Sequence, residues 1–366
     1  MQNLFPAAYN EILVKIANVD PVAYGKSRNH IHGAVTRLSP YISRGVISTR
    51  QVLHSVMQRG YKLPQIEQFV KELCWRDYFQ RVAQHKNVSE EIRHPQQPVS
   101  NRQIPAAVLN ATTGIQGIDN AIAELYQTGY MHNHCRMYTA SLVCNLAQSH
   151  WLQPAQWMYY HLLDGDWASN ACSWQWVAGA NSNKKYFANQ ENINRYTHTA
   201  QSGTFLDTSY ENLEKMSIPV ALSQTEPFQG QTTLPAPTSI NIDAALPTYI
   251  YNYYNLDPLW HQHESGNRIL LLDPDLFTRF PVSEKCIAFM LALGQNIPGL
   301  RVFVGSFHNL LSQYGLSDVY FKEHPLNMGY QGTEEPREWI VPEITGYFPS
   351  FFAYWKKVEK QLYQTQ

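Results

Sequence analysis

The chain has few of the features typical of secreted, membrane or metal-binding proteins. Its cysteines form no C-x-x-C pair and no metal-ligand spacing, which favours free thiols in a reducing compartment and argues against an iron–sulfur cluster. No apolar stretch reaches the roughly eighteen residues of a membrane helix. Polar Asn3, Glu11 and Lys15 interrupt the amino terminus, unlike a signal peptide. We expect a cytoplasmic protein with no metal site and no membrane partner.

Charge is also sparse, whereas aromatic residues are abundant. Charged residues make up 16% of the chain and the net charge is −1, which counts against tight, non-specific DNA binding but leaves room for a local basic groove. The 9 Trp and 23 Tyr are compatible with a cofactor-binding core and also with ordinary packing. A chain of 366 residues is long enough for two cores, so we expect two domains.

Two stretches, 130–137 and 164–176, combine unusual chemistry. They contain the carboxylates of Asp164 and Asp166, the amide of Asn170 and the guanidinium of Arg136, set among tryptophans. A buried redox-active ring with several heteroatoms, such as a flavin, needs hydrogen-bonding partners of these types along its edge. The stretches therefore predict a flavin site.

These stretches resemble the flavin-pocket motifs of the photolyase/cryptochrome family, and in particular class I cyclobutane pyrimidine dimer photolyases. The resemblance extends from about residue 24 to residue 187 and implies FAD in a mainly α-helical domain. It also implies that Arg136 pairs with Asp164 beneath the isoalloxazine, that Asp166 accepts a hydrogen bond from the ring, and that Asn170 faces N5. An asparagine there matches repair-type members and favours the reduced flavin.

A second motif precedes these stretches. Ser39 followed by Pro40 predicts a helix start, whose free amides, with the hydroxyl of Thr36 and the cation Arg37, suit a pyrophosphate. An ordinary capped helix is the alternative. In photolyases the similar stretch clamps the flavin's diphosphate, so the resemblance implies that the FAD-binding residues here are Tyr24, Thr36, Arg37, Leu38 and Ser39.

A third motif lies on a helix predicted for residues 65–84. Glu72, Trp75 and Arg76 are spaced i, i+3 and i+4, which places them on one face. Taken alone, such a set is usually an ion pair beside a core tryptophan. In the family this motif places the glutamate and the tryptophan against the thymine dimer and turns the arginine toward the flavin. The resemblance therefore implies catalytic roles for Glu72 and Trp75, and FAD binding by Arg76.

The resemblance also assigns residues to the substrate and to electron transfer. Asn133 would hydrogen-bond the substrate or flavin region, Met137 would touch the dimer, and Trp176 would stack on it. Trp174 and Trp151 occupy the positions of the two flavin-proximal members of the family's tryptophan relay. The surface member is missing from its expected position, and the candidates to replace it are Trp157, Trp167 or a tyrosine.

The residues expected to contact DNA depart from the family pattern. Ala188 stands where many photolyases have an arginine that holds a DNA phosphate, and His134 replaces another arginine that contacts the backbone. Each lost contact weakens affinity without altering base readout. The residues expected to bind DNA here are Arg28, His134, Lys184 and Lys185, with Arg195 as a further compensating cation.

The rest of the chain indicates a second, smaller domain. Proline-rich residues 222–247 predict a linker. Short apolar runs beyond it predict three strands that alternate with helices, which implies a parallel sheet. The strands are expected at 268–272, 300–305 and 318–321, and the helices at 283–293 and through Leu311. This unit resembles part of the photolyase antenna domain, and the alternative is an unrelated small α/β domain; an antenna pigment is doubtful.

The predicted domains are therefore a helical FAD-binding domain, 1–221, the linker, 222–247, and a small α/β domain, 248–366. Further helices are expected at 1–22, at 114–129, from Met131 and at 347–364, with a loop and a short helix at 90–113. His261 and His263 lack further ligands and are interpreted as polar surface.

The leading hypothesis is blue-light-driven, FAD-dependent repair of cyclobutane pyrimidine dimers by electron transfer from reduced flavin. Single-stranded DNA is favoured because it lowers the cost of extruding the lesion. The alternative is a cryptochrome-like photoreceptor without repair activity that changes its binding to a signalling partner. A third hypothesis, a flavoprotein that acts in the dark, has less support because no nicotinamide site is visible.

Overall fold

The computed structural model describes residues 4–327 and 329–364, which fold into helices and one parallel sheet. Two compact units are present. Unit 1 contains the residues up to Val22, Thr36–His85 and the residues from Gln231 onward, and unit 2 contains Ala23–Val35 and Lys86–Gly230. These units do not coincide with the division predicted along the chain, because residues 36–85 pack with the C-terminal part.

Three of the first five helices correspond to predicted helices with shifted ends, whereas the helices Pro21–Ser27 and Thr49–Gln58 were not predicted. The helix expected at 1–22 begins only at Tyr9 and ends at Ala17, and Pro21 begins a second helix because its fixed φ suits a first turn. Residues 1–3 lie outside the described part of the chain. The helices are α1 (Tyr9–Ala17), α2 (Pro21–Ser27), α3 (Ser39–Ser43), α4 (Thr49–Gln58) and α5 (Leu63–Ala83).

The regular secondary structure of unit 2 is almost entirely helical. The helix expected at 114–129 ends at Gly129, whose φ of +73° is the left-handed conformation that glycine adopts readily. The helix expected from Met131 begins at Asn133 and continues as a π-helix, Leu142–Leu146. The remaining α-helices are α6 (Ala106–Leu109), α7 (Gln116–Thr128), α8 (Asn133–Ser141), α9 (Leu152–His161), α10 (Trp167–Val177), α11 (Gln190–Thr197) and α12 (Tyr210–Lys215).

Unit 2 also contains a short pair of strands, and an irregular segment follows it in the chain. Strand β1 (Ile104–Pro105) pairs antiparallel with β2 (Thr225–Glu226), and Val220–Leu222 forms a 3₁₀ turn. Two-residue strands show no periodicity, so the sequence could not reveal them. Residues 227–247, all of them described, form no helix or strand.

Unit 1 contains a five-stranded sheet in which all neighbours are parallel, in the order β5-β4-β3-β6-β7. The strands are β3 (Thr248–Tyr251), β4 (Asn267–Leu272), β5 (Leu300–Val304), β6 (Val319–Lys322) and β7 (Thr333–Glu335). The three predicted strands are confirmed, but the sheet is larger than predicted. The central strand β3 was missed because four buried residues show no alternation, and β7 because it is short and polar.

The remaining helices of unit 1 are α13 (Pro274–Arg279), α14 (Glu284–Gly294), α15 (Phe307–Tyr314) and α16 (Phe351–Gln364). Of these, α15 packs its Phe307 and Leu310 against the sheet, whereas α16 packs on α5. Ile250, Ile269 and Phe321 lie in register across three strands and form part of one hydrophobic core. The fold class, a mainly helical protein with a small parallel α/β part, is confirmed. Among the described helices, none combines the length and apolarity needed to cross a membrane.

Candidate functional site

The residues predicted for the site are divided between the two units. Unit 1 holds Thr36, Arg37, Leu38, Ser39, Glu72, Trp75 and Arg76. Unit 2 holds Tyr24, Arg28, Asn133, His134, Arg136, Met137, Trp151, Asp164, Asp166, Asn170, Trp174, Trp176, Lys184 and Lys185.

Arg136 and Asp164 form the ion pair that the sequence predicts. The Nη2 atom of Arg136 lies 2.9 Å from both carboxylate oxygens of Asp164, and its Nε donates to the Met131 carbonyl at 2.8 Å. The Asp164 side chain is only 3% exposed, so it needs a charged partner to remain ionised. The second bond, to Met131, fixes the orientation of the guanidinium plane.

Asp166 and Asn170 lie at the start of α10, and both are buried. Asp166 caps the helix by accepting from the Ser169 amide at 2.8 Å. The Nδ2 of Asn170 donates to the Ala155 carbonyl at 2.8 Å, which fixes the amide and leaves its oxygen end as an acceptor. The Ser169 hydroxyl is buried and has no hydrogen-bond partner in the described part of the chain. The sequence analysis did not single out this serine.

The first turn of α8 presents Asn133 and Met137 together. Asn133 is exposed, and its Nδ2 lies 3.9 Å from the Met137 sulfur. Arg136 and Met137 lie three and four residues after Asn133 on α8, so the three side chains share the face that this spacing predicts. An exposed amide beside a thioether can contact a polar ligand with an apolar edge.

The tryptophans of unit 2 differ in exposure. Trp151 and Trp174 are at most 2% exposed, and the indole N–H of Trp151 has no partner among the described residues. Trp157 and Trp167 are also at most 2% exposed, and their N–H groups donate to Tyr126 and Ser89. Neither therefore fits the surface position of the relay, for which half-buried Tyr126 stays a candidate.

Trp176, by contrast, is 41% exposed, and its ring lies 5.8 Å from that of Tyr186. A supported, open indole face is suited to stacking on a flat ligand.

His134 is half-buried rather than exposed. Burial, together with the nearby charges of Arg28 and His30, lowers its pKa to about 4. The imidazole is therefore neutral at neutral pH, and it cannot supply the positive charge of the arginine that it replaces.

The other predicted DNA contacts also differ from a row of exposed cations. Lys184 is exposed, whereas Lys185 is partly buried and burial lowers its pKa. Ala188 is 5% exposed, so its position faces the interior. Arg28 directly follows the last residue of α2. Its Nη1 donates to the Gly25 carbonyl.

In unit 1, the segment before α3 carries a half-buried cation, Arg37. Arg37 has a left-handed φ of +52°, and no described residue accepts from its buried Nε atom. Thr36 accepts from the Leu38 amide at 3.3 Å. Leu38, not Ser39, is the N-cap residue, so the predicted cap is displaced by one position and Ser39 begins the helix. An unpaired guanidinium N–H beside a helix start fits an anionic phosphate oxygen.

On α5, Glu72, Trp75 and Arg76 are half-buried. Arg76 donates to the Ser43 hydroxyl on α3. The indole of Trp75 stacks on the ring of Phe351 in α16, with centroids 3.8 Å apart and planes 10° from parallel. One face of this tryptophan is thus occupied by the chain itself. The sequence analysis missed this contact because the two residues are distant in sequence.

Residues 69–251, half of the chain, match a family model described as the FAD binding domain of DNA photolyase. The deoxyribodipyrimidine photo-lyase of Streptomyces griseus is 32% identical over 155 residues, which cover 42% of this chain and 34% of the relative. The chloroplastic/mitochondrial cryptochrome DASH of Ostreococcus tauri is 31% identical over 209 residues, covering 53% and 37%. The chain thus spans about a third of the length of these relatives.

A solved structure of an archaeal photolyase from Sulfolobus tokodaii with two FAD molecules is also similar. It is 27% identical, with a TM-score of 0.45, over 52% of this chain and 45% of that protein.

FAD is the cofactor that the family match assigns, and the residues fit it. The match covers the segment with the Arg136–Asp164 pair, the fixed acceptor of Asn170 and the orphaned hydroxyl of Ser169. A ring with both donors and acceptors on its edge requires such a set.

Proposed function

Because the chain belongs to the family of FAD-binding domains of DNA photolyases, we propose that it is a photolyase-like lyase that repairs cyclobutane pyrimidine dimers in DNA with blue light. The observation that carries the proposal is the ion pair of Arg136 with the buried Asp164, together with the fixed amide of Asn170 on the same unit. The retained Glu72, Trp75 and Arg76 set supports a repair role over other uses of the cofactor.

When bound, reduced FAD supplies the electron for dimer cleavage. Arg136 and Asp164 orient the isoalloxazine through a guanidinium whose plane is already fixed, and Asp166 and Asn170 offer acceptor oxygens to its N–H groups. The buried pair is preformed, so these residues pay little reorganisation on binding. The other FAD-binding residues that we propose are Tyr24, Thr36, Arg37, Leu38, Ser39, Arg76 and Asn133.

The chain's own side chains would hold the dimer. Trp176 offers an exposed indole face for stacking, and Asn133 and Met137 present an amide beside a thioether. Trp75 has one face covered by Phe351, so it would contact the dimer by its edge or its opposite face. Glu72 would hydrogen-bond the dimer and stabilise the charge that it acquires. Trp174 and Trp151 would serve electron transfer to the cofactor.

The proposal includes a preference for single-stranded or distorted DNA as the substrate. The phosphate contacts expected from the family are weakened, since His134 is neutral and Ala188 is buried. Arg28, Lys184 and Lys185 would then bind the phosphate backbone of the DNA strand. His134 would contact the same backbone without a charge. A protein with few phosphate anchors gains most from a lesion that is already unpaired.

The proposed location is the cytoplasm, because a reducing compartment suits five buried free thiols.

Replacing Glu72 tests the catalytic assignment. Glu72→Ala should reduce light-dependent dimer cleavage at least about tenfold while FAD content, measured from the visible spectrum, is unchanged. Glu67→Ala, on the same helix, is the matched control and should retain activity. An unaltered repair rate in the Glu72 variant would remove this residue from the mechanism.

A cryptochrome-like photoreceptor is the second candidate. It is favoured by the 31% identity to a cryptochrome DASH. It is also favoured by the neutral His134, which removes one expected contact to a DNA phosphate. A signalling partner would then replace the lesion. Light-dependent spectral change without dimer cleavage in the wild-type protein would select this candidate.

A further inference from the structure

A row of five rings crosses unit 2. In order, the ring row consists of His32, His198, His30, Tyr196 and His134. Neighbouring centroids are separated by 5.4, 5.2, 4.9 and 5.2 Å. The outermost pair, His32 and His198, is stacked with 21° between the planes. None of the four members other than His134 has a role in the function proposed above.

The backbone fixes the ring row from both sides. The Ile31 amide donates to the Tyr196 carbonyl at 3.1 Å, which joins the loop after α2 to the end of α11. A side chain at Gly33 would overlap the Ser27 carbonyl oxygen, so this loop requires glycine. His198 ends α11 with a left-handed φ of +54°. The backbone that carries His30, His32, Tyr196 and His198 is therefore fixed by contacts within unit 2.

The ring row extends away from the proposed substrate residue Asn133. At its inner end, His134 follows Asn133, whose exposed amide is proposed to contact the lesion. At its outer end, His32 and His198 are exposed. Cations accompany it along its length: Arg195 lies 5.5 Å from the ring of Tyr196, and the charge of Arg28 acts on His134.

We propose that the ring row is a stacking platform for the bases of a single DNA strand next to the lesion. This inference rests on the function proposed above and names how the strand is held. Flat rings accept any base, and single-strand binding proteins combine such rings with nearby cations. Stacking would thereby compensate for the missing phosphate contacts at positions 134 and 188.

Stacking and phosphate pairing differ in their dependence on salt. Each phosphate neutralised by a cation releases counterions, so its loss lowers the slope of log affinity against log salt. Loss of a stacking ring lowers affinity at every salt concentration and leaves that slope unchanged. The salt series therefore separates the ring row from a merely cationic surface.

The experiment uses the FAD-loaded full chain in the dark and an undamaged, fluorescently labelled oligothymidine in an anisotropy titration. The double variant His32→Ala/His198→Ala should bind about five-fold more weakly, or worse, with the wild-type salt slope. The ring-preserving variant His32→Phe/His198→Phe should restore the affinity. Lys184→Ala should instead reduce the slope. His308→Ala, an exposed histidine on α15, should change nothing.

Wild-type affinity in the alanine double variant, or no rescue by phenylalanine, would overturn the proposal. Equal losses for the labelled strand and for its duplex would also contradict it, because paired bases cannot stack on the rings. The assay contains neither lesion nor light, so its failure is distinguishable from the failure of repair. An intact FAD spectrum confirms that each variant is folded.

Discussion

Asp164 is an almost fully buried carboxylate whose partner is the guanidinium of Arg136. Asp164→Asn would keep the shape but remove the charge, leaving Arg136 without its counterion. We expect a loss of about 2–3 kcal/mol in the free energy of unfolding, less than for a fully buried pair because Arg136 is 22% exposed. Urea denaturation of the FAD-loaded protein measures it.

The exposed Asp275→Asn is the control for this variant and should change stability by less than about 0.5 kcal/mol. Equal effects of the two substitutions would mean that the ion pair contributes nothing specific. FAD content should fall in the Asp164 variant only.

His134 makes stability depend on pH. Its pKa is about 4 in the folded chain and about 6.5 when unfolded, so the unfolded chain binds the proton more readily. The stabilising effect of the neutral ring is therefore fully present above pH 6.5 and is lost as the pH falls toward 4. His134→Gln should lose less stability than the wild type between pH 7 and pH 5. Identical pH profiles of thermal unfolding would contradict this.

For single residues, the sequence predicted which side chains pair better than it predicted their burial and protonation state. Arg136 and Asp164 could be paired because the flavin-pocket motif specifies both residues. The neutrality of His134 could not be predicted, since its lowered pKa depends on burial in the tertiary fold and on the charges of Arg28 and His30 in the loop after α2. The orphaned hydroxyl of Ser169 was missed for the same reason, because burial of a hydroxyl in the first turn of a helix is a tertiary property.

Among the elements, α16 has a role that its sequence does not show. It packs on α5 and places Phe351, which is 3% exposed, flat against Trp75. Phe351→Ala should destabilise the protein by about 3–4 kcal/mol and alter the near-ultraviolet circular dichroism of the indole. Thermal unfolding and the dichroism spectrum measure the two effects.

Phe351→Leu separates volume from stacking, because it fills most of the space without an aromatic ring. It should recover much of the stability but not the dichroism signal. A native signal in both variants would show that Phe351 does not fix Trp75.

Long periodic elements were predictable and short ones were not. Helix α7 has an apolar face long enough to show a period, and β4 is a continuous apolar run. Helix α3 has only five residues, and its cap lies at Leu38 because Pro40 takes the second helical position. Strand β3 was hidden by its length, although it lies at the centre of the sheet.

On the scale of the whole molecule, unit 1 is assembled from segments distant in the chain. Asp77 of α5 accepts from the Ile340 amide at 2.9 Å, and Tyr78 donates to the Phe348 carbonyl at 3.3 Å. A fragment of residues 1–221 would leave buried Asp77 and the apolar face of α5 without these partners. We expect it to lack a cooperative thermal transition, as measured by calorimetry.

A fragment 1–221 that unfolds cooperatively and retains FAD would instead support the linear domain division predicted from the sequence. That division was drawn from a proline-rich composition at 222–247, which indicates where the chain is irregular. Composition cannot show that residues 36–85 belong with the C-terminal strands, because such contacts depend on the tertiary fold.

Light-dependent cleavage of a thymine dimer tests the central proposal most directly. The FAD-loaded protein is reduced anaerobically, mixed with a dimer-containing oligonucleotide, single- or double-stranded, and illuminated with blue light. We expect recovery of thymine only in the light, faster on the single strand. A protein that binds FAD and responds to light but leaves the dimer intact on both substrates would contradict the account.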